Sequence, residues 1–265
     1  MKSIKSTLLV VSFLLLSVLA HAQKIAIMGA LDQEIALLLE QMERPKKQTK
    51  GNIDFYTGKL QGKKVVVLKA GVGKVNASYA TAILADNFKP SALIFTGVAG
   101  GLHPDSQPGD LVIGEKLFQY DFGRFDSVGF KVTPYRKLRG GNLEELYVNA
   151  DQKLLQKSIQ ASAQVTFEPV ADRTPQVFQG VIATGDMFVS NNEKASWLFE
   201  SYGALATEME GAAVAHLCQT LQIPFVVIRS CSDNANNQAH VNFQQFVGPA
   251  SINSARLVMK ILENL

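Results

Sequence analysis

Ala92-Leu93-Ile94-Phe95-Thr96, running straight into Gly97-Val98-Ala99-Gly100-Gly101, decides the fold. A short apolar run without polar alternation reads as a strand buried on both faces. Glycines at its end read as a tight turn where backbone N–H groups can approach a ligand closely. The same pattern recurs in both directions. Lys24-Ile25-Ala26-Ile27-Met28-Gly29 is another buried strand ending in glycine. Ile35, Leu38, Leu39 and Met42 then recur at helical spacing until Pro45 stops them. Asp54 to Leu60 and Lys64 to Leu68 read as a hairpin joined near Gln61-Gly62. Ala70-Gly71-Val72-Gly73-Lys74 is a glycine turn leading into a helix from about Val75 to Asn87.

Further strands are expected at Leu111 to Gly114, Val177 to Ala183 and Pro224 to Ser230. Helices are expected at Ala150 to Ser162, Glu193 to Glu200, Met209 to Thr220 and Phe246 to Leu262. Strands alternating with helices give an α/β class, three αβα layers around a central, mostly parallel or mixed sheet. Residues 118 to 150 are the least regular stretch, with Phe118, Tyr120, Phe122, Phe125, Phe130 and Tyr135 among Arg124, Arg136 and Arg139. An irregular stretch of this length inside a compact domain is usually functional or mobile.

The first 22 residues read as a signal peptide. Lys2 and Lys5 precede an apolar run from Leu8 to Leu19, and Ala20-His21-Ala22 supplies a small-x-small cleavage site before Gln23. The run is shorter than the ~20 apolar residues of a membrane span. The chain is therefore expected to be exported, periplasmic or secreted, with residues 23–265 forming one domain. The whole sequence carries a net charge of +3, and losing Lys2 and Lys5 leaves the remainder near neutral. Neutrality argues against nucleic acid as a partner, and no membrane partner is expected once the leader is gone. Two cysteines, Cys218 and Cys231, are too few for a disulfide framework. Both lie in apolar surroundings, as a buried thiol pair or a single bridge.

The acids are the chemical clue. Glu34 follows the first strand, Asp233 follows the apolar strand that ends near Arg229, and Glu208-Met209-Glu210 precedes the small-residue helix Gly211-Ala212-Ala213. In open α/β sheets, ligands bind beyond the carboxyl ends of the strands. Glu34, Glu210 and Asp233 gathered at that edge in glycine-rich surroundings are read as ligand-site acids rather than surface acids or helix caps.

Six ordered segments then carry a resemblance: Ile27 through Glu34, Gly71-Val72-Gly73-Lys74-Val75-Asn76-Ala77, Thr96 through Leu102, Thr184-Gly185-Asp186-Met187-Phe188-Val189, Thr207 through Ala212, and Val227 through Ala235. The chain resembles the 5'-methylthioadenosine/S-adenosylhomocysteine nucleosidases of the nucleoside phosphorylase superfamily. The resemblance implies a nucleoside phosphorylase/hydrolase-like fold, no cofactor or metal, and hydrolysis of the N-glycosidic bond of a 5'-substituted adenosine. It implies Asp233 as the acid that protonates adenine, Glu34 as the base on water, and Glu210 as the carboxylate on the ribose hydroxyls. Phe188 would stack on the purine, the Val189 backbone would pair with the adenine edge, and Met209 would pack on the sugar. Glu208, Ser232, Arg229 and Val98 fall in the matching segments and are carried as further substrate-site residues.

Two departures stand out. Val98 replaces an expected small hydroxyl residue. The stretch from Phe118 to Asn142 is longer than the family pattern, where the pocket for the 5' substituent is built partly by a neighbouring subunit. A homodimer is implied, with Phe130 the candidate for that contact. Three other readings stay open: a purine nucleoside phosphorylase, a non-catalytic exported nucleoside-binding protein, and a nucleosidase for another 5' group such as aminodeoxyfutalosine or 5'-deoxyadenosine. Phosphate sites favour arginine forks, and neither Gly29 to Glu34 nor Ala92 to Gly101 contains an arginine.

Overall fold

The computed structural model describes residues 24–136 and 145–265. The expected leader lies outside them. Twelve strands are described: β1 (Ile25–Gly29), β2 (Glu43–Lys50), β3 (Ile53–Leu60), β4 (Lys63–Lys69), β5 (Ala92–Gly101), β6 (Leu111–Gln119), β7 (Gly123–Asp126), β8 (Gly129–Val132), β9 (Val148–Asn149), β10 (Val177–Thr184), β11 (Ala204–Glu208) and β12 (Phe225–Asp233). The described helices are α1 (Asp32–Glu40), α2 (Lys74–Phe88), α3 (Gln152–Ser162), α4 (Asn192–Tyr202), α5 (Gly211–Leu221) and α6 (Ala239–Asn264).

The large sheet runs β11-β10-β6-β12-β5-β1-β4-β3-β2, with β9 beside β6. β1 pairs in parallel with β4 and β5, and β5 with β12. Their carboxyl ends therefore share one side. β6 runs against β12 while β10 and β11 follow β6, so the sheet is mixed. β11 then turns back onto β5, Ala206 opposite Gly101 and Thr207 opposite Gly100. That closure brings the segment after β11 to the carboxyl end of β5 from the opposite direction.

Both faces are covered. On one, Phe55, Phe95 and Val227 pack against Ala77, Ala80 and Leu84 of α2 and Val214 and Cys218 of α5. On the other, Ile27, Ile94 and Ile228 pack against Ile35 and Leu38 of α1, Leu154 and Leu155 of α3, and Leu257 and Ile261 of α6. Each fully buried side chain of this size contributes about 1.5–3 kcal/mol. The unbroken apolar runs of β1, β5 and β12 follow from this two-sided burial. Cys218 and Cys231 are buried and free.

Four segments differ from the sequence reading. β2 was not expected, because Glu43–Lys50 has no apolar alternation and every residue is exposed. It is an edge strand, with Pro45 at a register shift and Arg44, Lys46, Lys47 and Lys50 along it. Proline and cations are characteristic of an edge kept from pairing with other chains. β11 was also missed, no element having been expected between Glu200 and Met209, and the next helix begins at Gly211 rather than Met209. The final helix starts at Ala239 and passes through Pro249, well before the expected Phe246. Within 118–150, β6 continues to Gln119, β7 and β8 form a separate two-stranded hairpin, and β9 follows; Arg139 and Asn142 lie outside the described residues.

Candidate active site

A cavity of about 660 Å3, mouth included, opens at the carboxyl ends of β1, β5 and β12, within the range usual for small-molecule sites. Glu34, Val98, Phe188, Val189, Glu208, Met209, Glu210, Ser232 and Asp233 all line it. Ten of the eleven expected site residues thus converge here when Arg229, just behind the wall, is included; Phe130 does not line the cavity.

Glu34 is the third residue of α1 and is buried. Its Oε2 accepts from the N–H groups of Ala30 at 2.5 Å and Leu31 at 2.8 Å, and its Oε1 from Val98 at 2.8 Å. The Leu31 bond is the reach-back half of a capping box, satisfying a free N–H at the helix start. Burial raises the Glu34 pKa, and Arg229 and the three N–H groups pull it partly back. Gly97 is required for this approach, because a Cβ there would overlap both Arg229 Nη1 and Glu34 Oε1.

Arg229 is fully buried on β12. It hydrogen-bonds Glu208 through Nη2, and the same nitrogen reaches Glu210 Oε2 at 3.4 Å, while Nη1 lies 3.9 Å from Glu34 Oε1. Desolvation opposes its charge, but the three carboxylates outweigh it and raise its pKa further. The guanidinium is therefore a buried counter-charge for the acids rather than part of the cavity surface. Buried acids without such a partner would bear a large desolvation cost.

The two glutamates at the end of β11 and just after it divide their work. Glu208 accepts from Thr184 Oγ1, Arg229, Glu210 N–H at 3.0 Å and Gly211 N–H at 2.7 Å. Its acceptor capacity is taken up by the protein, so it orders the wall rather than offering itself to a ligand. Glu210 Oε1 accepts from the Gly73 N–H at 2.7 Å and keeps lone pairs toward the cavity it lines. Its pKa is raised by burial first, and by Glu208 and Glu34 against the pull of Arg229.

Asp233 ends β12. Its Oδ1 accepts from the Ala235 N–H at 2.8 Å, and Ser232 Oγ reaches its Oδ2 at 2.9 Å. Burial lifts its pKa to about 6, against those two hydrogen bonds. Phe188 is partly exposed at the mouth, edge-on to His240 at 5.4 Å and Phe243 at 5.7 Å. The sequence reading missed Leu31, Val72, Met187, Thr207 and Phe243, which also line the cavity. Val72 and Met187 lay inside quoted motifs and could have been found; Phe243 lies in a polar stretch with no signal. Phe130 sits on β8 facing Phe125, with ring centroids 6.5 Å apart.

Residues 24–263 match the family model described as the phosphorylase superfamily. A 5'-methylthioadenosine/S-adenosylhomocysteine nucleosidase from Shewanella pealeana is 36% identical over 243 residues, covering 91% of this chain and all of the relative. The solved structure of a nucleosidase of that name from Neisseria meningitidis, in complex with methylthio-immucillin-A, is 34% identical with a TM-score of 0.80, over 92% of this chain and 100% of that one. A futalosine hydrolase of Helicobacter pylori is 28% identical with a TM-score of 0.79, over 92% and 99% respectively. Within the phosphorylase superfamily, the chain belongs to the 5'-methylthioadenosine/S-adenosylhomocysteine nucleosidases, hydrolases of the N-glycosidic bond of adenosine derivatives.

Proposed function

We propose that the substrate is a 5'-substituted adenosine and that Asp233, Glu34 and Glu210 divide the chemistry. Adenine leaves poorly as an anion, so Asp233 donates a proton to the purine at N7. The ribose gains oxocarbenium character as the bond breaks. Glu34 orients and deprotonates the water that attacks the anomeric carbon, and Glu210 accepts hydrogen bonds from the ribose hydroxyls. Phe188 stacks on the purine, the Val189 backbone pairs with its edge, and Met209 packs on the sugar.

The observation that carries this reading is the contrast between two acids in one cavity. Burial raises Asp233 to about 6 with only two hydrogen bonds resisting, which suits a proton donor. Glu34 meets three N–H donors and a guanidinium that favour its charged form, which suits a base. Burial raises both acids, so what distinguishes them is the donors each meets: three N–H groups and a nearby guanidinium at Glu34, one N–H and one hydroxyl at Asp233. Among the described residues lining the cavity there is no Arg or Lys, which supports water over phosphate as the nucleophile. Adenine release by purified residues 23–265 in phosphate-free buffer tests the assignment; turnover that requires phosphate refutes it.

The 28% identity to a futalosine hydrolase favours a second reading in which the 5' group is not a thioether. A panel of adenosine analogues scored for free base separates the two. Export and a homodimer complete the proposal. Export rests on the basic start, apolar run and Ala20-His21-Ala22 site. N-terminal sequencing of the protein from the cell envelope or medium should begin at or near Gln23, and an intact Met1 would contradict it.

A further inference from the structure

The start of α2 is capped from a distance. Its N-cap is Gly73, which has no side chain to serve the free N–H groups. Gly73 has φ of +92°, a conformation other residues rarely adopt. Two remote carboxylates take the place of a local cap. Glu210 Oε1 accepts from the Gly73 N–H at 2.7 Å, and Asp186 Oδ1 from the Lys74 N–H at 2.7 Å. Asp186 is itself tied down, its N–H donating to Asp121 Oδ2 at 2.8 Å. Asp121 Oδ1 accepts from Lys74 Nζ at 2.6 Å, and both side chains are largely buried.

These bonds close a ring. It runs from the Lys74 ammonium to Asp121, through the Asp186 backbone and carboxylate, and back to the Lys74 N–H. Three segments meet in it: the β4–α2 turn, the end of β6 and the loop after β10. None of these acids touches the cavity, yet the ring fixes the peptide next to the one that holds Glu210. Without the Gly73 bond, only the 3.4 Å contact with Arg229 would orient the Glu210 carboxylate.

We infer that Asp186, braced by Asp121 and Lys74, is a positioning residue: it sets the Gly73 N–H so that Glu210 meets the ribose hydroxyls. This rests on the proposed role of Glu210 but not on turnover. A purely structural brace would lower stability and affect every ligand alike. A positioning role affects ligands that contain ribose and spares the free base.

The test compares Asp186→Ala, Asp186→Asn and Lys74→Met. Affinities are measured by calorimetry for adenine and for a 5'-methylthio C-nucleoside, which cannot be hydrolysed; melting temperatures are recorded alongside. Asp186→Ala should weaken the C-nucleoside about tenfold, the scale of one hydrogen bond to a charged group, with adenine affinity unchanged within about twofold. Asp186→Asn should stay near wild type, because its amide oxygen still accepts from the Lys74 N–H. Lys74→Met opens the ring without altering Asp186 and should shift the C-nucleoside in the same direction as Asp186→Ala. Equal losses for adenine and C-nucleoside, no loss in Asp186→Ala, or an Asp186→Asn as impaired as Asp186→Ala would each overturn the inference. If instead Glu210→Gln binds the C-nucleoside normally, the role of Glu210 fails, and with it the basis of the inference.

Discussion

Val98 donates its backbone N–H to Glu34 Oε1 at 2.8 Å across 64 positions of sequence. The bond ties β5 to α1 and fixes one oxygen of the carboxylate, while Ala30 and Leu31 fix the other. Glu34 therefore has a structural task as well as a chemical one. A glutamine cannot do both, since its amide nitrogen has no lone pair for an N–H donor. Glu34→Gln is expected to lose turnover by about 10²–10⁴-fold and to lower stability by roughly 1–3 kcal/mol, the cost of leaving a buried donor unpaired. Nucleoside binding should persist. Single-turnover adenine release, equilibrium binding and urea unfolding check the three parts; normal turnover ends the assignment of Glu34 as base.

Asp233 gives a pH dependence with a definite sign. The group donates only while protonated, so kcat/KM should fall as pH rises through about 6. For stability, the folded chain holds this proton more tightly than the unfolded chain. Its contribution is full below the unfolded value of 3.8 and is lost as pH rises through about 6. Asp233→Asn keeps an oxygen for the Ala235 N–H and removes the buried charge. It should nearly abolish turnover yet melt higher than wild type at pH 8, with the difference shrinking at pH 5. A variant that melts lower at both pH values contradicts the linkage.

The reach of sequence reading follows from this arrangement. Strands buried on both faces are unbroken apolar runs, so β1, β5 and β12 were legible, and with them the acids at their ends. β2 was not, because an exposed edge strand carries no hydrophobic period. Glu34, Glu210 and Asp233 were identified as chemical groups, but the partners that distinguish them were hidden. Those partners are backbone N–H groups 64 and 137 positions away, together with the buried Arg229. Glu208 was carried as a further substrate-site residue, and its hydrogen bonds show it instead saturated by the protein. Backbone donors have no residue signature, so no reading of side-chain types could have found them.

Two glycines provide contrasting expectations. Gly97 has Arg229 Nη1 and Glu34 Oε1 where a Cβ would stand, and both belong to a buried charged network with little room to shift. Gly97→Ala should cost about 1–3 kcal/mol by overpacking and disturb catalysis through Glu34. Gly248 lies inside α6 with open space around it. Gly248→Ala meets no remote clash, but its Cβ would precede Pro249, which disfavours helical backbone there, so the change should be near neutral for stability and leave kcat unchanged. Chemical denaturation of both variants decides the matter, and a neutral Gly97→Ala would show that the network can move aside.

The β7–β8 hairpin gives the clearest expectation for the proposed dimer. Its tip presents Phe125 at 81% and Val128 at 94% exposure, with Phe122 and Phe130 also exposed. Apolar side chains clustered on a projecting hairpin usually mark an interface, and a two-fold dimer is the commonest symmetric solution. The cavity mouth is itself rimmed by exposed Val72, Met187 and Phe188. A neighbour's hairpin laid across that rim would cover both surfaces, and would explain why Phe130 is absent from its own subunit's cavity. Light scattering should give twice the mass of residues 23–265 at micromolar concentration, and a single species at the monomer mass rules the dimer out. Val128→Asp places a charge at the tip, far from Glu34 and Asp233 in sequence and outside the cavity. It should shift the population toward monomer, and activity should fall as the dimer is lost. Phe130→Ala should keep the dimer but weaken substrates with a large 5' group more than adenosine, by about 2 kcal/mol or more if it is a central anchor. Equal losses for both substrates would remove Phe130 from the 5' pocket even if the dimer stands.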